Sequence, residues 1–385
     1  MHRIPSHGLP STQAAAADFW ERPENPDLRR ALDALRDNGE DELELADKAM
    51  NDADMADLAA ALRQGAEVHT LDLSNNPFDD SGLAALADAL RDNRSLVTLR
   101  LNDCQAGLAG MQALAAALRT NGSLCTLELQ RCWLGPAALA ALATALPSNI
   151  TLVALDLSDN GLEDAGAAVL AAGLARNHNL DRLFMRHNRL TGLGAEALGE
   201  ALLTHPALQK LDLAYNQVGD AGARALSSTL QQAQVTLTSL NLNENRIGDT
   251  GAFHLASALV DNCCLTELQL EGNPLLSNAG ARALAEALRH NNQLTNLKLG
   301  QPRDSRFDDH ILAAISADIN RNRNSADEQM KDLVLRASGL CQESAFQQAS
   351  ACYRQAANLM HFDSARFARI LVSQALIEMS ESGLD

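Results

Sequence analysis

The stretch Leu155-Asp-Leu157-Ser-Asp-Asn160 returns as Leu211-Asp-Leu213-Ala-Tyr-Asn216, and looser copies run through most of the chain. Leucines at alternate positions share one face of a strand, and the Asn three residues past the second Leu closes each copy. The first Leu of each Leu-x-Leu falls at 43, 71, 99, 127, 155, 183, 211, 240, 268 and 297. Six consecutive spacings are 28 residues, and two of the last three grow to 29. The extra residues lie within 231–236 and 274–279, loop stretches where insertion is tolerated. A fixed period of this length marks a solenoid, in which each unit buries its apolar face against its neighbours.

Each part of the unit carries an expectation. Asn76, Cys104, Cys132, Asn160, Asn188, Asn216, Asn245 and Asn273 occupy the closing position. There a side chain can donate to carbonyls of the loop leaving the strand, which would otherwise be buried and unpaired. Lys48 and Pro302 hold that position in the first and last units and mark degenerate ends. Asp80, Asp164, Asp220 and Asp249 stand two residues before Gly82, Gly166, Gly222 and Gly251 and read as N-caps of their own helices. Leu86/Leu90, Leu114/Leu118, Leu170/Leu174 and Leu226/Leu230 then form the inner helix face.

The ends read differently. Residues 1–26 are rich in Pro, Ser and Thr and read as a disordered N-terminal segment. Leu28, Leu32 and Leu35 line one face of a helix ended by Asn38-Gly39, a cap for the open end of the array. After Leu299 the repeat fails: Phe307, Ile311, Leu312, Ile315 and Ile319 predict a closing helix, followed by a polar break over 320–327. Phe346, Ala349, Tyr353, Ala356 and Met360, and then Phe367, Ile370, Leu371 and Ala375, define further helix faces. Residues 320–385 thus form a helical C-terminal cap or a small helical module.

The pattern L-x-x-L-x-L-x-x-[N/C]-x-L at a 28-residue period resembles the leucine-rich repeat, in particular its ribonuclease-inhibitor-like subfamily, over residues 27–319. The resemblance implies an α/β horseshoe solenoid of about ten units, with a parallel sheet on the concave face and helices on the convex face. It also implies a protein partner. Physical spacing agrees: strands stack ~4.8 Å apart and helices ~8–10 Å apart, so the stack curves with its strands inside.

Composition narrows the function. Formal charge is −18, which disfavours nucleic acid and anionic membrane surfaces and favours a partner that is basic overall. Seven cysteines without a C-x-x-C, and no apolar run after the N-terminus, predict free thiols in a reducing, cytoplasmic compartment without a Sec signal or membrane insertion. Heavy use of Arg and Ala fits a GC-rich, bacterial genome, and residues 1–26 suit an export signal of an effector delivered into host cells. No Walker A motif, G-x-G-x-x-G, H-E-x-x-H or G-x-S-x-G occurs, and no cofactor or metal is expected. Asp308-Asp309-His310 cannot converge on one ion from adjacent helix positions, and Cys341 with His361 lacks a third group. Cys263-Cys264 reads as buried packing.

What remains is what the ladder displays. The residues inside Leu-x-Leu are Glu44, Asp72, Arg100, Glu128, Asp156, Phe184, Asp212, Asn241, Gln269 and Lys298, a solvated face with one apolar exception at Phe184. Met185 replaces the second Leu of the same unit. Arg182, Phe184, Arg186, His187 and Tyr215, flanked by Arg131 and with Arg100 farther along, form the candidate partner-binding set, since aromatics and Arg supply binding hot spots. Phe184 either anchors a partner or packs on Tyr215 across the strands, and Trp133, past the closing position, reads as a core candidate. The expected function is a non-enzymatic protein-binding scaffold. The alternatives are a regulator of a partner enzyme such as a small GTPase or nuclease, and a cysteine-dependent enzyme using Cys341 or Cys352.

Overall fold

The computed structural model describes residues 23–38, 41–105, 107–300, 307–342 and 352. The expectations for residues 1–22, Pro302, His361 and the helix faces beyond 342 lie outside them, as does the side chain of Cys341. Ten three-residue strands, β1 (Glu42–Glu44) to β10 (Asn296–Lys298), form one parallel sheet in chain order. Their register is locked on the leucines: Leu155 pairs with Leu183, and Leu183 with Leu211. Pairing runs past the strand ends, with the N–H of Leu157 donating to Phe184 O (2.9 Å) and that of Asp159 to Arg186 O (2.8 Å).

From the second strand to the ninth, each strand is followed by a helix that packs on the helices before and after it. A hydrogen-bonded sheet on one side and a wider helix layer on the other close into the curved α/β solenoid expected from the period. The core is a thin layer of Leu and Ala between sheet and helices, and Leu86, Leu114, Leu170, Leu183 and Met185 are all fully buried. Helix α1 (Pro26–Asn38) covers the open end through Leu28 and Leu32.

The closing asparagines do more than donate. Asn160 Nδ2 donates to Leu129 O (2.7 Å) in the preceding repeat and to Leu157 O (3.0 Å) in its own. Its Oδ1 accepts from the N–H groups of Cys132 (3.0 Å) and Leu134 (3.3 Å). One side chain therefore satisfies buried backbone groups on two consecutive repeats. Cys104 and Cys132 keep only the donor half, with thiols directed at Leu73 O (3.3 Å) and Leu101 O (3.1 Å).

A second ladder, unforeseen in the sequence reading, runs along the opposite edge where each helix turns back to the sheet. Asn121, Asn149, Asn177, Asn262 and Asn291 are its rungs, and His205 stands in the same place. Asn177 Nδ2 reaches Leu146 O (2.7 Å) of the previous repeat while Oδ1 accepts from the N–H of Leu180 (2.8 Å).

The aspartates cap helices, but not their own. Helix α3 (Asp80–Asp92) is capped by Asp79, and α6 (Glu163–Leu174) has no side-chain cap at its start. Asp164 instead reaches forward to α7 (Gly192–Leu202), accepting from Thr191 N (2.7 Å), Thr191 Oγ1 (2.6 Å) and Gly194 N (2.9 Å). Asp220 and Asp249 do the same for the next repeats, at Gly251 N (2.9 Å) and Gly280 N (2.8 Å). This explains the glycines: a Cβ at Gly194 would stand 2.6 Å from Asp164 Oδ1. Although burial pulls the other way, hydrogen bonds from Ser277 and Gly280 hold the Asp249 carboxyl below the usual carboxylate range. Asp164→Ala should cost about 1–2 kcal/mol in chemical denaturation through the lost inter-repeat cap; a change under about 0.3 kcal/mol would show the cap to be idle.

No break interrupts the last helix, α11 (Asp309–Gln342). The polar residues at 320–327 stay helical because they close the array: Asn322 Nδ2 donates to Leu294 O (2.8 Å), and Arg321 and Arg323 donate to Leu288 O (2.7 Å) and Thr295 O (2.7 Å). Phe307, Ile311, Ile315 and Ile319 are buried against the last repeat as expected.

Candidate functional site

The inner face of the sheet carries three rows of side chains, from the first strand residue, the residue inside Leu-x-Leu, and the residue after the second Leu. The middle row is mostly carboxylate and amide, and the rows beside it mix these with Thr, Ser and Ala. On β6 (Arg182–Phe184) and β7 (Lys210–Asp212) the character changes, because Arg182, Phe184 and Arg186 align with Lys210, Asp212 and Ala214. Phe184 is half-buried, and the Lys210 ammonium lies 5.5 Å from its ring centre. Burial holds the Lys210 pKa below its ordinary value, with Asp212 and Glu267 opposing and Arg182 assisting. Lys210 was absent from the sequence-derived set. The signal was there, since it occupies in β7 the row that Arg182 occupies in β6.

Arg182 sits 3.6 Å from Asp181, and burial raises the Asp181 carboxyl pKa. Arg186 is exposed, makes no ion pair among the described residues, and lies over the Tyr215 ring at 5.4 Å. Tyr215 stacks on His187, with centroids 4.6 Å apart and planes 10° from parallel. Phe184 therefore meets Lys210, and Tyr215 meets His187 on the turn leaving the strand. These five predicted residues and Lys210 form one continuous strip across two repeats.

Arg100 and Arg131 do not join it. Arg100 is placed among Glu128 (3.3 Å), Asp72 (3.8 Å) and Glu44 (3.9 Å), which neutralise it. Arg131 makes a two-pronged bond to Asp103 (2.7 and 2.6 Å) on the turn two repeats before His187. Trp133 is not core: its backbone is left-handed (φ +52°) and its side chain is 85% exposed. Cys263 and Cys264 are not buried packing either, being exposed and half-buried on a loop. Burial pushes the Cys104 thiol up to about 11 and the Cys132 thiol up to about 12, so both remain protonated donors. Among the described residues no three His, Cys, Asp or Glu side chains gather as a metal site, and no helix is long and apolar enough to cross a membrane.

The Leucine Rich repeat family model matches seven times, at residues 68–87, 92–115, 148–171, 176–199, 204–227, 234–256 and 261–285. The chain is a leucine-rich repeat protein. None of the curated proteins matches it. Similar solved structures include the actin-binding site 2 of leiomodin-1, at 24% identity and a TM-score of 0.32 over 35% of this chain and 75% of that one. The C-terminal domain of a Caenorhabditis elegans tropomodulin is 10% identical with a TM-score of 0.33, over 50% of this chain and 95% of that one. A leucine-rich repeat solenoid is a protein-interaction scaffold, and the matched units at 176–199 and 204–227 carry the strip from Arg182 to Tyr215. The scaffold holds that strip rigidly, since its backbone is fixed by both ladders.

Proposed function

We propose that this leucine-rich repeat protein is a non-enzymatic scaffold that grips a protein partner on the inner face of its sheet, centred on Phe184. The observation that carries this reading is the cation–aromatic strip of Arg182, Phe184, Arg186 and Lys210, whose aromatic ring interrupts an inside row that is otherwise polar or charged. An aromatic ring set among cations has the composition of a binding hot spot. Display on a preformed sheet limits the ordering entropy lost on binding. The net charge of −18 favours a partner that is basic overall, with an acidic spot opposite the strip.

Phe184→Asp combined with Arg186→Glu should abolish capture of the partner from a host lysate. Two hot-spot losses amount to about 4 kcal/mol, roughly a thousandfold in affinity. Both side chains leave the ladders untouched, so circular dichroism and melting should match the parent protein. Capture that survives the double substitution would move the site to another surface.

A further inference from the structure

Among the described residues, each of the first nine strands leaves through a left-handed residue. Asp47, Asn75, Asp103, Asp159 and Gly272 take this place, and so do the longer Arg131, His187, Tyr215 and Glu244, with φ between +52° and +70°. Such backbone suits Gly, Asn and Asp, and a bulky side chain there is strained. Tyr215 holds the position at φ +58°, 43% exposed, and Trp133 is left-handed two residues beyond it in another repeat, as Arg189 and Arg246 are in theirs. Trp133 leaves most of its ring in solvent, so burial does not account for a tryptophan there. Tyr215 and Trp133 both border one groove of about 620 Å³ along the rim, which Asp159, His187, Arg189 and Arg246 also line.

We propose that this rim groove is the second half of the docking surface, and that it takes an extended, proline-containing segment of the partner whose acidic flank lies over Arg182, Arg186 and Lys210. The proposal rests on the inner-face reading above. Continuity supports it, because Arg186 covers Tyr215 from the sheet side while Tyr215 and His187 form the groove wall, so one segment can cross from face to rim. Groove chemistry selects the segment. Polyproline II has no internal hydrogen bonds, docks its rings on aromatic faces and presents free carbonyls. The indole N–H of Trp133 and the guanidinium groups of Arg189 and Arg246 are donors of the kind those carbonyls need. An amphipathic helix is a poorer fit, since charged side chains interrupt the lining wherever an apolar stripe would lie. Charge sets the direction. Glu44, Asp72, Glu128 and Asp156 repel an acidic flank from the earlier repeats, leaving β6 and β7 as its place.

The chain has two tryptophans, so Trp20→Phe leaves Trp133 as the sole indole reporter. The probe is a synthetic peptide in which a run of prolines precedes a run of glutamates, carrying a dye for anisotropy. Trp133 emission should shift to shorter wavelength and saturate with the anisotropy. Tyr215→Ala should weaken binding about tenfold or more, as should replacing the prolines by Gly-Ser or the glutamates by lysines. Anisotropy that saturates while Trp133 emission stays fixed would remove the rim groove and leave the inner-face site standing. Equal binding of the Gly-Ser peptide would overturn the proline assignment. Absence of binding by both signals would overturn the whole inference, while loss of lysate capture by the Phe184/Arg186 double variant would still support the inner-face site.

Discussion

Asn188→Leu is expected to cost about 4 kcal/mol, several times the ~1 kcal/mol typical of point substitutions. Asn188 is fully buried, and its Nδ2 donates to Leu157 O (2.9 Å) and Arg186 O (3.1 Å). Its Oδ1 accepts from the N–H groups of Asn160 (3.1 Å) and Leu162 (3.2 Å). Leucine of similar volume leaves the N–H groups of Asn160 and Leu162 buried without partners, at roughly 1–3 kcal/mol each before relaxation, while Leu157 O keeps Asn160 Nδ2 and Arg186 O keeps the N–H of Asp159. Asn188→Cys is the informative companion. A thiol keeps the donor arm, as Cys132 does toward Leu101 O, and loses the acceptor arm that serves the two N–H groups, so most of the cost is expected to remain. Denaturant unfolding of the full chain measures both. A loss below about 1 kcal/mol for Asn188→Leu would mean that the rung is not a tie between repeats.

The ladder was legible because one residue type recurs at one spacing, and its donor role follows from the chemistry of Asn. Its acceptor role was not legible, because the N–H groups that Asn188 receives belong to the previous repeat. The same blindness misplaced the aspartates. Asp164 is where an N-cap should be, and only the packing of α6 on α7 shows that it serves Thr191 and Gly194 of the next repeat. Residues 320–327 read as a break because polar residues there have no apolar face to bury. In the structure they meet the bare carbonyls of the last repeat, a need that arises only at the end of an array.

At the site, Phe184 stood out because an apolar ring interrupted a polar row, a contrast visible in one dimension. Lys210 was missed because the first row of the strand was left out of that comparison. Arg100 was over-read for the opposite reason: Glu44, Asp72 and Glu128 lie 28 or more residues away in sequence and become its neighbours only through the parallel register. Trp133 looked like core because its exposure depends on a left-handed turn, which no residue-type rule predicts for tryptophan.

Acidification should expose the histidine rung of the second ladder. His205 is buried, its Nδ1 accepts from the N–H groups of Ala207 (3.2 Å) and Leu208 (3.0 Å), and its Nε2 meets Asn177 Oδ1 (3.3 Å). That geometry needs the neutral ring, because a proton on Nδ1 would face two donors. Burial, with a smaller push from His178, takes the imidazole down to about 4. In the unfolded chain a histidine titrates near 6.5. The folded pKa is the lower one, so the unfolded state takes up the proton first as pH falls. Stability is therefore full above about pH 6.5 and drains away through the window down to about 4, by about 3 kcal/mol in all. His205→Asn supplies the residue found at Asn177 and Asn291, which accepts from the same following N–H groups and donates to a carbonyl of the previous repeat, without a titrating group. The variant should match the parent near neutral pH and exceed it by about 2–3 kcal/mol near pH 4.5 in denaturant unfolding. Carboxylates that titrate in the same range affect both proteins alike, so the difference isolates the imidazole. Parallel loss of stability in the two proteins across that window would show that His205 is already charged in the folded ladder.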